Sequence, residues 1–188
     1  MLVALFFIVG VLLLQLFDPN VLALTWASFP HPQFFLNIVT HMFAHANWAH
    51  LMGNYIYVLP YALYLEQRVG KKKFAGFWLL CGLSALAAQA STLFVMDSSG
   101  VIGSSGAAFG IVGAALWLVD FSPFAKWFCR IVVAYHAFNQ AFLAYLMLTS
   151  PLFRFFSNVA FAAHFGGLLC GVILAALVLR RERQQTSK

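Results

Sequence analysis

The sequence has few charged residues. Only 9% of its 188 residues are charged and only five of them are acidic, whereas a soluble domain has about 25% charged residues. Apolar residues make up 63% of the chain, and its mean hydropathy is +0.87. This composition excludes an ordinary soluble core and indicates that the lipid bilayer surrounds most of the chain.

Cysteine is also scarce. Cys81, Cys129 and Cys170 lie in apolar runs, and neither their number nor their spacing matches a disulfide framework or a zinc site. The net charge of +6 comes from basic residues near the ends of apolar runs, and these form no stripe with interleaved aromatic side chains. We therefore expect no metal ion, no cofactor and no nucleic-acid partner.

Apolar stretches recur along the whole chain between short polar segments. Six candidate spans are Leu2 to Phe17, Trp48 to Leu65, Phe74 to Met96, Ser105 to Val119, Trp127 to Leu148 and Val159 to Leu179. No internal repeat or separate soluble region stands out. The sequence thus predicts an all-α membrane protein of six transmembrane helices in a single domain over residues 1–188.

The basic residues predict how these helices are oriented. Six spans put both termini on one side of the membrane, and ten of the eleven Lys and Arg residues then lie on that side, with Arg154 as the exception. Because positive charge concentrates in cytoplasmic loops, we predict that both termini are cytoplasmic. The connection from Asp18 to Asn47 would then lie along the outer interface. The minimal six-helix form favours a bacterial inner membrane.

The fourth span is short for a membrane helix. From Ser105 to Val119 it rises about 21 Å, against a hydrocarbon core of about 30 Å. The polar segment from Asp97 to Ser104 comes before it and cannot face lipid with unpaired backbone groups. We therefore predict a submerged fourth helix that begins beside a water-filled cavity open to the non-cytoplasmic side.

Four polar side chains from three spans are predicted to lie at the depth of this cavity. His164 is about 23 Å from the cytoplasmic end of the sixth span, which matches the depth of Ser105. His50 and Asn54 are about 23 and 17 Å from the end of the second span, and their i, i+4 spacing places them on one helix face. Ionisable residues at such depth indicate function.

These side chains predict a hydrolytic site. A neutral His164 is suited to take the proton of Ser105, which makes the hydroxyl a nucleophile. The Ser105 backbone N–H, His50 and Asn54 could bind the oxyanion. None of the acidic residues lies inside a span, so we expect a Ser-His dyad without a carboxylate. Phe109, one turn after Ser105, could stack on the imidazole ring.

The motifs that contain these residues resemble those of the rhomboid intramembrane serine proteases. They are His41-xxx-His45-xxxx-His50-xxx-Asn54, Gly103-Ser104-Ser105-Gly106 and Ala163-His164-Phe165-Gly166-Gly167-xxx-Gly171. The resemblance extends from about Thr40 to Gly171. It implies a rhomboid-like helix bundle whose substrates are transmembrane proteins.

The resemblance also implies a role for each matching residue. Ser105 would be the nucleophile and His164 its partner, with His50 and Asn54 at the oxyanion site. His45 matches a position that organises structure and water. Gly103 and Gly106 belong to the serine motif, and small residues of this kind let helices approach closely. The chain departs from the family at Leu36-Asn37, where many members have a Trp-Arg pair.

Other functions stay open at this point. His136, Asn139 and Gln140 in the fifth span have no place in the dyad scheme, and together with His50, Asn54 and His164 they could line the polar pathway of a transporter. Bonds between helices are the alternative role for them. The chain could also be an inactive rhomboid-like protein, or a specialised rhomboid that processes C-terminal sorting tails. A zinc site at His41 and His45 lacks a third ligand.

Overall fold

The computed structural model describes residues 2–92, 100–120, 122–156 and 159–186, and the chain is helical through most of these ranges. The helices are α1 (Leu2–Leu16), α2 (Pro19–Leu22), α3 (Pro32–Thr40), α4 (Trp48–Val69), α5 (Lys71–Ala90), α6 (Ser105–Trp117), α7 (Pro123–Thr149), α8 (Pro151–Phe156) and α9 (Phe161–Thr186). A short 3₁₀ helix covers Trp26–Ser28, and two strands of two residues are β1 (Leu24–Thr25) and β2 (Gly100–Val101). The all-α prediction is confirmed.

Each predicted span overlaps one helix, and these helices are α1, α4, α5, α6, α7 and α9. The predicted end of the third span was wrong, because α5 ends at Ala90 rather than Met96. The hydroxyl groups of Ser91 and Thr92 donate to the carbonyls of Ala88 and Gln89. Such side-chain bonds to the backbone compete with helix continuation. The rest of the expected extension lies outside the described residues.

Three helices of the described part are long and apolar enough to cross a membrane. They are Lys71–Ala90, Pro123–Thr149 and the Phe161–Gln185 part of α9. The helices α1 and α6 are apolar but shorter, and α4 carries His50, Asn54 and Glu66 among its apolar residues. These helices indicate an integral membrane protein, and the six-span arrangement stays a prediction.

The short helix α6 lies at the centre of the bundle, packed against α4, α5, α7 and α9. Nine of its thirteen residues are buried, most of them Gly or Ala. A Cβ atom at Gly167 would collide with the carbonyl oxygen of Gly106, and one at Gly171 would collide with that of Gly110. The absence of side chains at these crossings lets the α6 and α9 backbones touch.

Polar contacts join helix ends at one end of the bundle. The Glu66 carboxylate accepts the backbone N–H of Leu2 at 2.9 and 3.0 Å, which ties the start of α1 to the end of α4. Arg68 donates two hydrogen bonds of 2.8 Å to Glu182, which ties the end of α4 to the end of α9. The starts of α4 and α9 therefore lie toward the opposite end.

The connection before α4 is folded rather than extended. Strand β1 pairs antiparallel with β2, with Leu24 opposite Val101. The Asn37 amide of α3 donates to the carbonyls of Val21 and Ala23 at 3.1 and 2.8 Å, so it holds the connection together where many rhomboids have a Trp-Arg pair. Large apolar side chains stay exposed here, at Val21, Phe29, Phe35, Leu36 and Val39. The sequence predicted an interfacial segment in this region but not its helices or its strand.

Candidate active site

The start of α6 turns sharply into the helix. Gly103 has a φ of +112°, in the region that favours glycine, and its backbone N–H donates to the carbonyl of His41 at 2.9 Å. Ser104 is the N-cap residue and Ser105 is the first residue of α6. The hydroxyl of Ser105 thus lies at the N-terminal end of a helix, where backbone N–H groups and the helix dipole favour negative charge.

Ser105 and His164 are in direct contact. The Ser105 Oγ lies 2.9 Å from the His164 Nε2, and His164, which lies in the first turn of α9, is buried. The ring of Phe109 stacks on the imidazole with a centroid distance of 4.4 Å and an interplanar angle of 12°. Phe161 packs edge-on against the same imidazole at 6.2 Å. These contacts restrict the ring to one orientation.

The other nitrogen of His164 contacts a residue to which the sequence gave no part in catalysis. The Gln140 Oε1 lies 3.0 Å from the His164 Nδ1, and Gln140 is buried on α7. Its amide nitrogen donates to Asn139 at 3.3 Å, while the His136 ring lies 6.2 Å from that of Phe109. The expected hydrogen bond between helices is therefore present for Gln140. The sequence contained one indication that Gln140 is buried. It lies seven residues from both Val133 and Met147, so the three residues share one face of α7.

A cavity of about 480 Å³ brings the proposed oxyanion residues together with Ser105 and His164. His50 and Asn54 line it from α4. The Asn54 Nδ2 is buried and has no hydrogen-bond partner in the described part of the chain. The His50 Nδ1 accepts the backbone N–H of Ala46 at 3.5 Å, which leaves Nε2 to carry the proton. The cavity therefore contains two unused donors beside the serine.

Two glycines of the serine motif allow this close packing. A Cβ atom at Gly103 would lie 2.7 Å from the His50 Cε1 and 3.6 Å from the Asn54 Nδ2. One at Gly106 would collide with Ala85 of α5. Both residues therefore permit neighbouring groups to approach the start of α6.

His45 lies under the start of α6 and is almost fully buried. Its Nδ1 lies 3.1 Å from the carbonyl of Phe43 and its Nε2 lies 3.1 Å from the Ser104 Oγ. Burial, together with the nearby His50, lowers the pKa of His45 to about 4, although the Phe43 carbonyl opposes this shift. A neutral His45 therefore donates to Phe43 and accepts from Ser104, the residue before Ser105.

His41 is engaged with the backbone. Its Nδ1 lies 2.7 Å from the carbonyl of Asn37, and burial lowers its pKa. Across the described ranges, no three His, Cys, Asp or Glu side chains are grouped as metal ligands. The contacts of His41 and His45 therefore offer no support for a zinc site.

Comparisons with known proteins agree with the motifs. The model of the Rhomboid domain matches residues 32–181. Similar proteins include Rhomboid-like protease 3 of Toxoplasma gondii, 27% identical over 89% of this chain, and RHOMBOID-like protein 6, mitochondrial, of Arabidopsis thaliana, 28% identical over 84%. The matched part spans 63% of the length of the first relative and 48% of the second.

Proposed function

Because the chain belongs to the rhomboid family, we propose that it is an intramembrane serine endopeptidase with Ser105 as the nucleophile and His164 as the general base. The observation that carries the proposal is the distance of 2.9 Å between the Ser105 Oγ and the His164 Nε2. A serine in hydrogen-bond contact with a general base is the smallest set of side chains that can catalyse acyl transfer through a covalent intermediate. The substrates would be transmembrane proteins, and the reaction needs no cofactor.

In the first half of the reaction, Ser105 Oγ attacks the carbonyl carbon of the scissile peptide bond while its proton passes to the His164 Nε2. The tetrahedral intermediate collapses when the protonated His164 gives that proton to the leaving amine. The acyl-enzyme remains on Ser105. A water molecule then attacks it with His164 again as the base, which releases the acid product and restores the hydroxyl.

The negative charge of the tetrahedral intermediate requires hydrogen-bond donors. The backbone N–H of Ser105 lies at the N-terminal end of α6, and the helix dipole adds to its effect. Asn54 contributes its Nδ2, which is buried in the free protein without a partner. His50 contributes its Nε2–H from the same wall of the cavity. Donors in place before the reaction need no reorganisation when charge develops.

The membrane arrangement is part of the proposal. Six helices span the bilayer with both termini in the cytoplasm, and α6, with thirteen residues, rises only about 20 Å. It would therefore begin below the outer surface, which puts Ser105 within the membrane at a cavity open to the non-cytoplasmic side. The joined ends of α4 and α9 support this arrangement, because they carry Arg68 and Arg181 at one end of the bundle.

Two narrower assignments rest on the sequence alone. The bacterial inner membrane stays a prediction, and the relatives reported above come from eukaryotes. Processing of C-terminal sorting tails stays the alternative specialisation within the same chemistry.

The contacts favour a protease over a transporter. Gln140, the buried member of the polar group on α7, bonds to His164, and Asn139 bonds to Gln140. These side chains thus converge on the serine rather than following a path across the bundle. An inactive rhomboid-like protein has no need to keep Ser105 and His164 in contact.

The test is labelling of the purified protein in liposomes with a fluorophosphonate probe, which bonds to activated serines. We expect wild type to be labelled on the peptide that contains Ser105, and Ser105→Ala and His164→Ala to be unlabelled. Ser104→Ala is the matched control, because it removes the adjacent hydroxyl, which contacts His45 instead, and it should keep the label. Labelling that survives Ser105→Ala would overturn the nucleophile assignment.

A further inference from the structure

We propose that Gln140 is a positioning residue for His164, and that its Oε1 holds the imidazole in the tautomer that can accept the proton of Ser105. The inference rests on the proposed function of Ser105 and His164. It gives a role to a side chain that the dyad scheme leaves unused. It also makes the helix α7 a part of the active site.

The two nitrogens of His164 have different partners. The Ser105 Oγ lies 2.9 Å from Nε2 and the Gln140 Oε1 lies 3.0 Å from Nδ1. A neutral imidazole carries one N–H, and an amide oxygen can only accept a hydrogen bond. With the Gln140 oxygen facing His164, the proton is on Nδ1, which leaves the lone pair of Nε2 facing the serine. A base in the opposite tautomer would present an N–H to Ser105 and could not take its proton.

The amide orientation of Gln140 is supported by its second contact. The Gln140 Nε2 donates to the Asn139 Oδ1 at 3.3 Å, so the oxygen of the same amide faces His164. In the reversed orientation, the amide nitrogen would donate to the His164 Nδ1 and put the imidazole proton on Nε2. The two orientations thus predict opposite tautomers, which makes the proposal measurable.

The orienting role falls to a neutral amide, and three of the four carboxylates in the described ranges contact other groups. Glu66 accepts the backbone N–H of Leu2, Glu182 pairs with Arg68, and Asp120 pairs with Lys126. An acceptor on Nδ1 also favours the imidazolium that forms when Nε2 takes the proton. Gln140 thus supplies, without a charge inside the membrane, the hydrogen-bond acceptor that a carboxylate provides in serine protease triads.

The packing of α7 explains why a polar residue occupies this place. The buried residues of α7 are Val133, Gln140 and Met147, spaced by seven residues and therefore on one face of the helix. Gln140 is the polar residue in the middle of this seam. A buried amide is unfavourable unless it is hydrogen-bonded. The contacts with His164 and Asn139 satisfy the two ends of the Gln140 amide.

The kinetic test compares Gln140→Met with Gln140→Glu on a transmembrane reporter in liposomes. Met keeps the length of the side chain and removes the acceptor, whereas Glu keeps an acceptor oxygen. We expect Gln140→Met to lower kcat at least about 10-fold and to leave KM unchanged. The loss should be smaller than the roughly 10⁴-fold loss that a wrong tautomer causes in a Ser-His-Asp triad. Glu should recover most of kcat. Val133→Ala, on the same seam and on the opposite side of Gln140 from Met147, is the packing control and should keep kcat near that of wild type.

The direct test is the ¹⁵N NMR spectrum of histidine-labelled protein in lipid nanodiscs, with the His164 signals assigned from His164→Asn. We expect Nδ1 protonated and Nε2 unprotonated in wild type, and a substantial Nε2–H population in Gln140→Met. Nε2–H in wild type, or the same tautomer in both proteins, would overturn the proposal. The NMR spectrum can be measured without catalysis, so it tests the role of Gln140 independently of the proposed function. The proposed function is tested by fluorophosphonate labelling of wild type and Ser105→Ala. The wild-type spectrum tests the proposal even where Gln140→Met fails to fold.

Discussion

At the scale of single residues, Gly103 meets two demands at once. Its φ of +112° suits glycine, and an added Cβ would lie 2.7 Å from the His50 ring. The first demand concerns backbone strain, whereas the second concerns the shape of the cavity. The chain contains a second glycine, Gly70, that meets only the first demand.

We expect Gly103→Ala to lower kcat at least about 10-fold, because it displaces His50 from the oxyanion site. It should also reduce stability by about 1 to 3 kcal/mol through backbone strain. Thermal unfolding and reporter cleavage measure the two effects. Gly70→Ala is the matched control, since Gly70 has a φ of +82° and open space around it. A loss of stability there should come without a loss of kcat, and equal loss of kcat in both variants would contradict this account.

His45 predicts a pH dependence of stability. Burial lowers its folded-state pKa from 6.5 to about 4, so the unfolded chain binds this proton more readily than the folded chain between these values. The contribution of neutral His45 to stability is therefore present above about pH 6.5 and is lost as the pH falls toward 4. We expect the melting temperature of wild type to fall more steeply over this window than that of His45→Gln. Parallel profiles would show that His45 does not carry this dependence.

The candidate site illustrates what the sequence can specify about residues. Helix rise placed Ser105 and His164 at one depth, because the rise per residue is nearly constant. The contact of Gln140 could not be predicted, because it depends on how α7 is rotated about its axis. That rotation is set by the seam through Val133 and Met147, and the spacing of seven residues alone does not show which helix this seam faces.

At the scale of elements, the crossing of α6 and α9 fixes the distance between the serine and the histidine. Gly106 follows Ser105 on α6, and Gly167 lies one turn after His164 on α9. A Cβ on Gly167 would collide with the Gly106 carbonyl oxygen. The position of His164 relative to Ser105 therefore depends on a residue without a Cβ atom at position 167.

We expect Gly167→Ala to push the two helices apart, with a stability loss of about 1 to 3 kcal/mol from overpacking and at least about 10-fold lower kcat. Thermal unfolding and cleavage are again the measurements. Gly76→Ala on α5 is the control, because open space surrounds Gly76 and alanine favours a helix there. Unchanged activity in Gly167→Ala would contradict the dependence of the site on this crossing.

The long helices followed from the sequence, whereas the short elements did not. The six predicted spans are runs of apolar residues, and in lipid a helix is one of the few structures that satisfies the backbone hydrogen bonds of such a run. The helix α3 and the strand β1 depend on tertiary contacts, such as those of Asn37 with Val21 and Ala23. No local pattern specifies such contacts.

At the scale of the whole molecule, the charge distribution predicts the orientation in the membrane. We expect alkaline phosphatase, which is active outside the cytoplasm, to be inactive when fused after Arg183 and active when fused between Phe29 and Pro32. Green fluorescent protein should show the reverse pattern. Active phosphatase at the C-terminal fusion would contradict cytoplasmic termini and place Ser105 on the wrong side.

The most direct measurement of the central claim is cleavage of a single-span reporter by the purified protein in liposomes, with the products identified by mass spectrometry. We expect wild type to cut the reporter and both Ser105→Ala and His164→Ala to lose at least about 1,000-fold in kcat/KM. Asn54→Ala, which leaves the other oxyanion donors in place, should lose about 100- to 1,000-fold. Gln67→Ala, an exposed amide on the same helix, should cut like wild type. Undiminished cleavage by Ser105→Ala would contradict the account.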